Sequence, residues 1–520
     1  MSDEVEHSPP DAADATAPPA PVGVGRAFAR NVGFLAVGAI VARFTGLIAQ
    51  LVLGRKLTDE QFGVFGIALG FTILTNCLRG GEVHHYLQTI APDRFNRDAA
   101  PFVRVAFLAS MVGTLATILA AVAAGFFRSE EMLPAVLIVL ALHAGTPFLN
   151  APLRARMQVD GRFGLLTAVD TTNSILRIFV VIAFAYGGAG PITLAVQLLV
   201  SALFEAVVLW WITRVPVFGM LRGRGGEREA LHTVKWTVLA GIFTTAVLQG
   251  DYFAASLFAP AAAVGVYYFI FGLCNQSAYL AATMLREAVG PAIARVREDP
   301  ERRTSAAIRI ARGLAVLVPC VVFAVPVVFP ELDLAVWNGR WGEWKWVAMV
   351  LSAHVCFLIM TTLLYGTLQG MRDYKTPARL EIARAIGIVG GAGIGAAISP
   401  TPMSIAIGVL AIGGVTSGSN TVRVLHRLGV GTFRAIRLAF VPTVAGAALA
   451  VLSRLFLDRY QGWSGADPKG GPVWLVELFV AGFGFLALYG VMARIFFHSV
   501  LRDMIGIAPA RVAKYIRFLG

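Results

Sequence analysis

Residues 102–126 read FVRVAFLASMVGTLATILAAVAAGF, an apolar run broken by one charge, Arg104, near its start. A hydrocarbon layer roughly 30 Å thick is crossed by about 20 residues of α-helix rising 1.5 Å each, so this run is long enough to span a bilayer. Runs of the same kind, bounded by charges, Gly and Pro, recur from end to end of the chain. They place spans near residues 31–54, 62–80, 102–126, 131–151, 164–185, 191–212, 235–258, 262–284, 306–330, 345–370, 378–398, 402–424, 436–456 and 473–497. The fold class expected is an all-α membrane protein of about 14 transmembrane helices. Composition agrees: 57% of the 520 residues are hydrophobic, only 14% are charged, and the mean hydropathy is +0.70, too apolar for a soluble core of ordinary size.

The net charge of +13 does not point to nucleic acid, because the Lys and Arg lie in short loops between spans rather than in one patch. With the N-terminus in the cytoplasm, most of the 44 Lys and Arg fall on the cytoplasmic side, and an even span count leaves both termini there. The localisation expected is therefore the inner (cytoplasmic) membrane of a cell, multi-pass. Tryptophans mark the boundaries: Trp210, Trp211 and Trp236 at cytoplasmic ends, and Trp337, Trp341, Trp344, Trp346, Trp463 and Trp474 at outer ends, where indole prefers the interface. The first 24 residues are Pro- and Ala-rich and acidic, and they read as part of a disordered cytoplasmic leader over residues 1–30. After the last span, Arg502, Arg511, Lys514 and Arg517 alternate with apolar residues at helical spacing, as in a helix lying on the inner leaflet.

Two short motifs occur twice. Phe62-Gly63-Val64-Phe65 opens span two and Val264-Gly265-Val266-Tyr267 opens span eight. Met157-Gln158-Val159-Asp160-Gly161-Arg162-Phe163 follows span four, and Leu368-Gln369-Gly370-Met371-Arg372-Asp373-Tyr374 follows span ten. Similar offsets at corresponding spans imply two related six-helix lobes, residues 31–213 and 236–430, joined by a basic linker over 214–235. Residues 431–520 add two further spans and the interfacial tail. A repeat of this kind puts the substrate path between the lobes.

Arg43 in span one, the Leu57-Thr58-Asp59-Glu60-Gln61-Phe62-Gly63-Val64-Phe65 turn, and Gln249-Gly250-Asp251-Tyr252 followed by Val264-Gly265-Val266-Tyr267 together resemble the polysaccharide or O-antigen flippase family. That family is the polysaccharide branch of the multidrug/oligosaccharidyl-lipid/polysaccharide exporter superfamily. The resemblance covers roughly residues 30 to 430. It implies two lobes that alternate access and carry a polyprenyl-pyrophosphate-linked oligosaccharide from the inner to the outer leaflet for cell-surface polysaccharide biosynthesis. The partners it implies are that lipid-linked oligosaccharide, membrane lipids and polysaccharide-assembly proteins. Span one carries Arg43 and no acid, which departs from a cation-antiporting drug exporter; the lipid II branch stays open.

An ionisable residue at a span centre costs at least about 2.5–3.5 kcal/mol, so each needs a partner or a wet cavity. Arg43, Arg177 and Arg384 lie within spans, and a guanidinium holds phosphate oxygens bidentately, which suits a pyrophosphate headgroup. Each is equally readable as the partner of an acid: Asp170 lies seven residues before Arg177, and Glu381 three before Arg384. Asp251 in span seven is expected to pair with Arg43, bind a coupling cation, or cap a local break beside Gly250. Glu205, His143, His354 and Glu477 read as satisfied or interfacial groups. Gly387, Gly391 and Gly395 form a stripe that lets a neighbouring helix come close.

No Gly-x-x-x-x-Gly-Lys-Ser/Thr loop and no His-Glu-x-x-His helix occurs in the sequence, so neither nucleotide-driven pumping nor zinc chemistry is indicated. No cofactor, metal or catalytic residue is expected. Other functions compatible with the pattern are a lipid II flippase, a multidrug cation antiporter, a membrane glycosyltransferase or polymer ligase, and a non-transporting scaffold.

Overall fold

The computed structural model describes residues 41, 44–72, 81–88, 90–223, 225–276, 298–371, 373, 375–464 and 473–507. Its helices run in chain order as α1 (residues 44–56), α2 (Asp59–Phe71), α3 (Gly81–Leu87), α4 (Ala100–Phe127), α5 (Leu133–Ala144), α6 (Pro147–Val159), α7 (Phe163–Tyr186) and α8 (Ile192–Thr213). Then follow α9 (Glu227–Ser256), α10 (Ala261–Gln276), α11 (Pro300–Trp337), α12 (Lys345–Gly370), α13 (Lys375–Ile398), α14 (Pro402–Arg427), α15 (Thr432–Ser464) and α16 (Val473–Ile507). Among the described residues, nine helical stretches are long and apolar enough to cross a membrane, with α5 and α6 counted as one bent span. The chain is thus a multi-pass, all-helical membrane protein.

Local chemistry explains where several of these helices begin. Thr58 accepts the Gln61 backbone N–H at 3.2 Å through Oγ1, while Gln61 Oε1 accepts the Thr58 N–H at 3.1 Å, a capping box that starts α2. Asp59 and Glu60 in its first turn suit the positive end of the helix dipole. Asp299 caps α11 by accepting from the backbone N–H groups of Glu301 and Arg302, with Pro300 next. Gly161, at φ +69°, ends α6 in a conformation that β-carbon-bearing residues avoid.

The repeated helix starts meet in space. A Cβ on Gly63 would lie 1.8 Å from the Ala261 carbonyl oxygen, and one on Gly265 would lie 1.8 Å from the Asp59 oxygen and 2.6 Å from the Gly63 nitrogen. So α2 and α10 cross backbone to backbone, and only glycine at both positions permits it. Phe62 and Phe65 then pack around Tyr268 and Phe269, with Phe62–Phe269 centroids 5.1 Å apart. In α13 the Gly387, Gly391 and Gly395 stripe faces α14: a Cβ on Gly391 would meet the Gly408 oxygen at 2.3 Å and one on Gly395 the Ser404 oxygen at 2.2 Å.

The last two helices dock on α11. Arg454 of α15 donates to both oxygens of Glu331 at 2.7 and 2.8 Å and to Asp458 at 2.8 Å, and Lys345 reaches Asp458 at 2.7 Å. Tyr489 of α16 donates to the Val316 carbonyl at 2.9 Å.

Three expectations change. Trp337 and Trp341 are buried rather than interfacial, because α11 continues to Trp337 and turns both indoles onto α1. Residues 501–507 prolong α16 instead of opening a separate surface helix; residues 508–520 lie outside the described residues. Residues 227–235 of the expected linker are the first turns of α9, fastened by Arg104 to Glu227 at 2.6 Å, to the Met220 carbonyl at 3.0 Å and to the Gly225 carbonyl at 2.6 Å.

Candidate functional site

Arg177 sits in the middle of α7. One helical turn to either side, Asn173 and Val181 are buried at 9% and 0% exposure, yet Arg177 between them on the same face is exposed. The guanidinium is open on that face, and Tyr268 of α10 lies within its electrostatic reach. Among the described residues Arg177 makes no ion pair and no hydrogen bond. Asn173 Oδ1, facing the same side, likewise has no partner among the described residues.

The acid expected beside Arg177 is engaged elsewhere. Asp170 accepts both of its bonds from Arg154 of α6, at 2.8 and 2.7 Å, and Arg154 also donates to Glu205 of α8. Three helices thus converge on one guanidinium. Helical spacing along α7 could not show this, because Asp170 turns toward α6 instead of along its own helix.

Arg384 is enclosed. Its exposure is 2%, its fork lies on Glu381 through Nε and Nη2, its Nη1 donates to Thr362 at 3.1 Å, and the guanidinium lies 5.5 Å from the Tyr365 ring centre. This is a local pair inside α13, enclosed away from any ligand path by its burial. Asp251, 1% exposed, accepts the Tyr267 hydroxyl at 2.7 Å and the Tyr252 backbone N–H at 3.0 Å, tying α9 to α10. Arg43, and with it the expected Arg43–Asp251 pair, lies outside the described residues.

A latch ties the end of α11 and the segment after it to the end of α1 and the start of α2. Arg340, just past α11, donates to the Leu57 carbonyl at 2.6 Å, to the Gly54 carbonyl at 3.2 Å and to Asp59. Trp337 and Trp341 donate to the Leu51 and Gly54 carbonyls at 3.2 and 3.3 Å, and Trp341 stacks on Phe269 with centroids 4.0 Å apart. The free carbonyls at the end of α1 are what these donors satisfy. In the topology expected from the charge bias, this is the outer end.

Sequence reading missed Arg154, which it left in a cytoplasmic loop, and Arg340, which it left in an outer one. The only signal for either was a basic residue beside the end of an apolar run, which loops share.

The family model described as polysaccharide biosynthesis protein matches residues 52–344. Among solved structures the chain is similar to the lipid II flippase MurJ in an inward closed conformation, with a TM-score of 0.64 and 11% identity over 89% of this chain and 99% of that one. It is also similar to an inward-facing multidrug resistance MATE family transporter of the MOP superfamily, with a TM-score of 0.58 and 16% identity over 75% and 99% of the two chains. No curated protein matches the sequence. At these identities the structural likeness speaks for the fold alone, an all-helical one like theirs.

Proposed function

The chain belongs to the polysaccharide biosynthesis protein family, and from that premise we propose that it is a flippase carrying a polyprenyl-pyrophosphate-linked oligosaccharide from the inner to the outer leaflet for cell-surface polysaccharide assembly. The observation that carries this reading is Arg177, a permanently charged guanidinium at mid-span, exposed, within electrostatic reach of Tyr268 and without a carboxylate partner among the described residues. An unpaired guanidinium in hydrocarbon is costly, so an anionic ligand is the natural counter-charge, and a pyrophosphate offers the bidentate oxygens that its planar fork fits. Arg43 is proposed as a second contact on the sequence argument alone. Arg384, buried and paired with Glu381 and Thr362, serves packing.

Transport then proceeds by rocking of the lobes. The latch of Arg340 on Asp59 and the Leu57 carbonyl holds the outer end shut while the headgroup loads at Arg177. Released, it lets the outer end open. No nucleotide loop is present to drive this, so an ion gradient, the membrane potential or consumption of the product supplies the direction. The domain scheme that goes with this mechanism is two six-helix lobes and a peripheral C-terminal pair.

The test measures the appearance of labelled lipid-linked oligosaccharide on the outer face of vesicles at matched protein levels. Arg177→Ala should abolish transport while the protein still inserts and accumulates, and Arg177→Lys should retain part of it, keeping the charge without the fork. Wild-type transport by Arg177→Ala would overturn the assignment.

A further inference from the structure

A cavity of about 340 Å³ lies between α3, α5, α6 and α8, and Arg177 is not on its wall. Its polar lining includes His84, His143, Asn150, Arg154, Ser201 and Glu205. We infer that this cavity is a saccharide subsite, which takes a pyranose ring of the cargo next to the pyrophosphate. The inference rests on the flippase reading above and deepens it.

Size comes first. Ligand pockets begin at about 300 Å³, so the cavity is far larger than a bare cation needs and fits a small organic ring. The lining chemistry then selects among occupants. A phosphate needs donors only, and the Glu205 carboxylate on the wall opposes it. A hydrophobic cation would call for aromatic faces, and among the described residues no Phe, Tyr or Trp lines the cavity. A sugar hydroxyl both donates and accepts, and the walls offer both: Glu205 accepts, Arg154 donates, and Ser201 does either.

These groups are held in place by their neighbours. Arg154 is fixed between Glu205 and the two oxygens of Asp170. His84 is oriented by two contacts, Nδ1 with the Ala151 carbonyl at 3.2 Å and Nε2 with Gln88 Nε2 at 2.7 Å. Asn150 donates to the Ala202 carbonyl at 3.1 Å, while its buried Oδ1 has no partner among the described residues. That acceptor at the wall is waiting for a donor such as a ring hydroxyl.

Position supplies the link to the headgroup. Asp170, which grips Arg154, precedes Arg177 by seven residues, two turns of α7 and roughly 10 Å on the same helix face. A pyrophosphate on Arg177 therefore puts the first sugars it carries within reach of the cavity, on the side from which the cargo loads in the expected topology.

Two labelled lipids in wild-type and variant vesicles separate the parts of this argument. One is a polyprenyl pyrophosphate bearing a sugar, the other the same lipid bearing none. Glu205→Gln removes the acceptor charge and Ser201→Leu fills the cavity. Each should lower transport of the glycosylated lipid at least about tenfold relative to the bare lipid, as when a site built to bond a hydroxyl loses its match. Arg177→Ala should instead lower both together. Equal loss or no loss of the two lipids in the cavity variants overturns the subsite while leaving the flippase reading intact. Should wild type move neither lipid, the flippase reading fails. Binding of free hexoses and N-acetylhexosamines to the purified protein, followed by saturation-transfer NMR, then decides the cavity. Signal in wild type that Ser201→Leu abolishes supports it; its absence in wild type overturns it. Sodium or proton binding that Glu205→Gln abolishes, with no sugar dependence, overturns it in favour of a cation site.

Discussion

Replacing Gly63 by Ala tests the crossing on which the two-lobe arrangement turns. The new methyl carbon would sit 1.8 Å from the Ala261 carbonyl oxygen, 2.4 Å from its carbon and 2.9 Å from its Cα, whereas real Cβ atoms come no closer than about 3.0 Å. All three obstacles belong to backbone, so no side chain can rotate away. The helices must instead part by more than about 1 Å, which loosens the ring packing of Phe62 and Phe65 on Tyr268 and Phe269. Overpacking of this kind costs about 1–3 kcal/mol. Gly265→Ala meets the Asp59 oxygen at the same 1.8 Å and should cost as much. Gly390→Ala is the control: nothing lies within 4 Å of its added Cβ, and mid-helix alanine is better than glycine by roughly 0.5–1 kcal/mol. Thermal unfolding in detergent, followed by the exposure of buried cysteines such as Cys274 to a fluorescent maleimide, should rank Gly390→Ala at or above wild type and both crossing variants well below it. If Gly63→Ala and Gly265→Ala melt with wild type, the backbone contact between α2 and α10 is not the joint described.

Arg454→Met should lower the unfolding temperature by the equivalent of about 3–5 kcal/mol, because it strands Glu331 and Asp458 without their cation; adding Glu331→Leu should recover part of the loss in the same melt. Glu227, outside the membrane, has its carboxyl held below the ordinary carboxylate range, first by its own backbone N–H and then by Arg104 and the Gly225 N–H. A depressed folded-state value means that the tie is complete above the ordinary range and is lost as pH falls through the folded value. Hydrogen exchange at residues 217–230 should accelerate on acidification, and Glu227→Gln should show the fast rate at every pH. Spin labels on the exposed Lys56 and Glu343 should report a wider distance distribution in Arg340→Ala than in wild type, by double electron–electron resonance; an unchanged distribution removes the latch. Cysteine at Ser305 should resist a membrane-impermeant thiol reagent in intact cells while cysteine at Pro400 reacts, and the reverse order overturns the assumed orientation.

The all-helical, membrane-spanning class was legible in the sequence because crossing a bilayer is a local requirement. An apolar run of sufficient length must satisfy its backbone within itself, so residues 102–126 declare a helix whatever surrounds them. The same holds for the glycine stripe of α13. The repeated Gly63 and Gly265 starts were visible too, although not that they touch. Sequence also singled out Arg177 and Arg384 as charges needing an explanation, but could not say that one is exposed without a carboxylate among the described residues and the other spent on Glu381.

Only the tertiary structure made those distinctions. A side chain's partner depends on how each helix is rotated about its axis and which neighbour it packs against. Asp170 reads as the partner of Arg177 along α7 but turns to Arg154 on α6, and two tryptophans expected in lipid headgroups close over Gly54 instead. Hydropathy specifies that a helix lies in the membrane; the packing of small residues against backbone decides which face meets which, and so where charge is left uncompensated for a ligand.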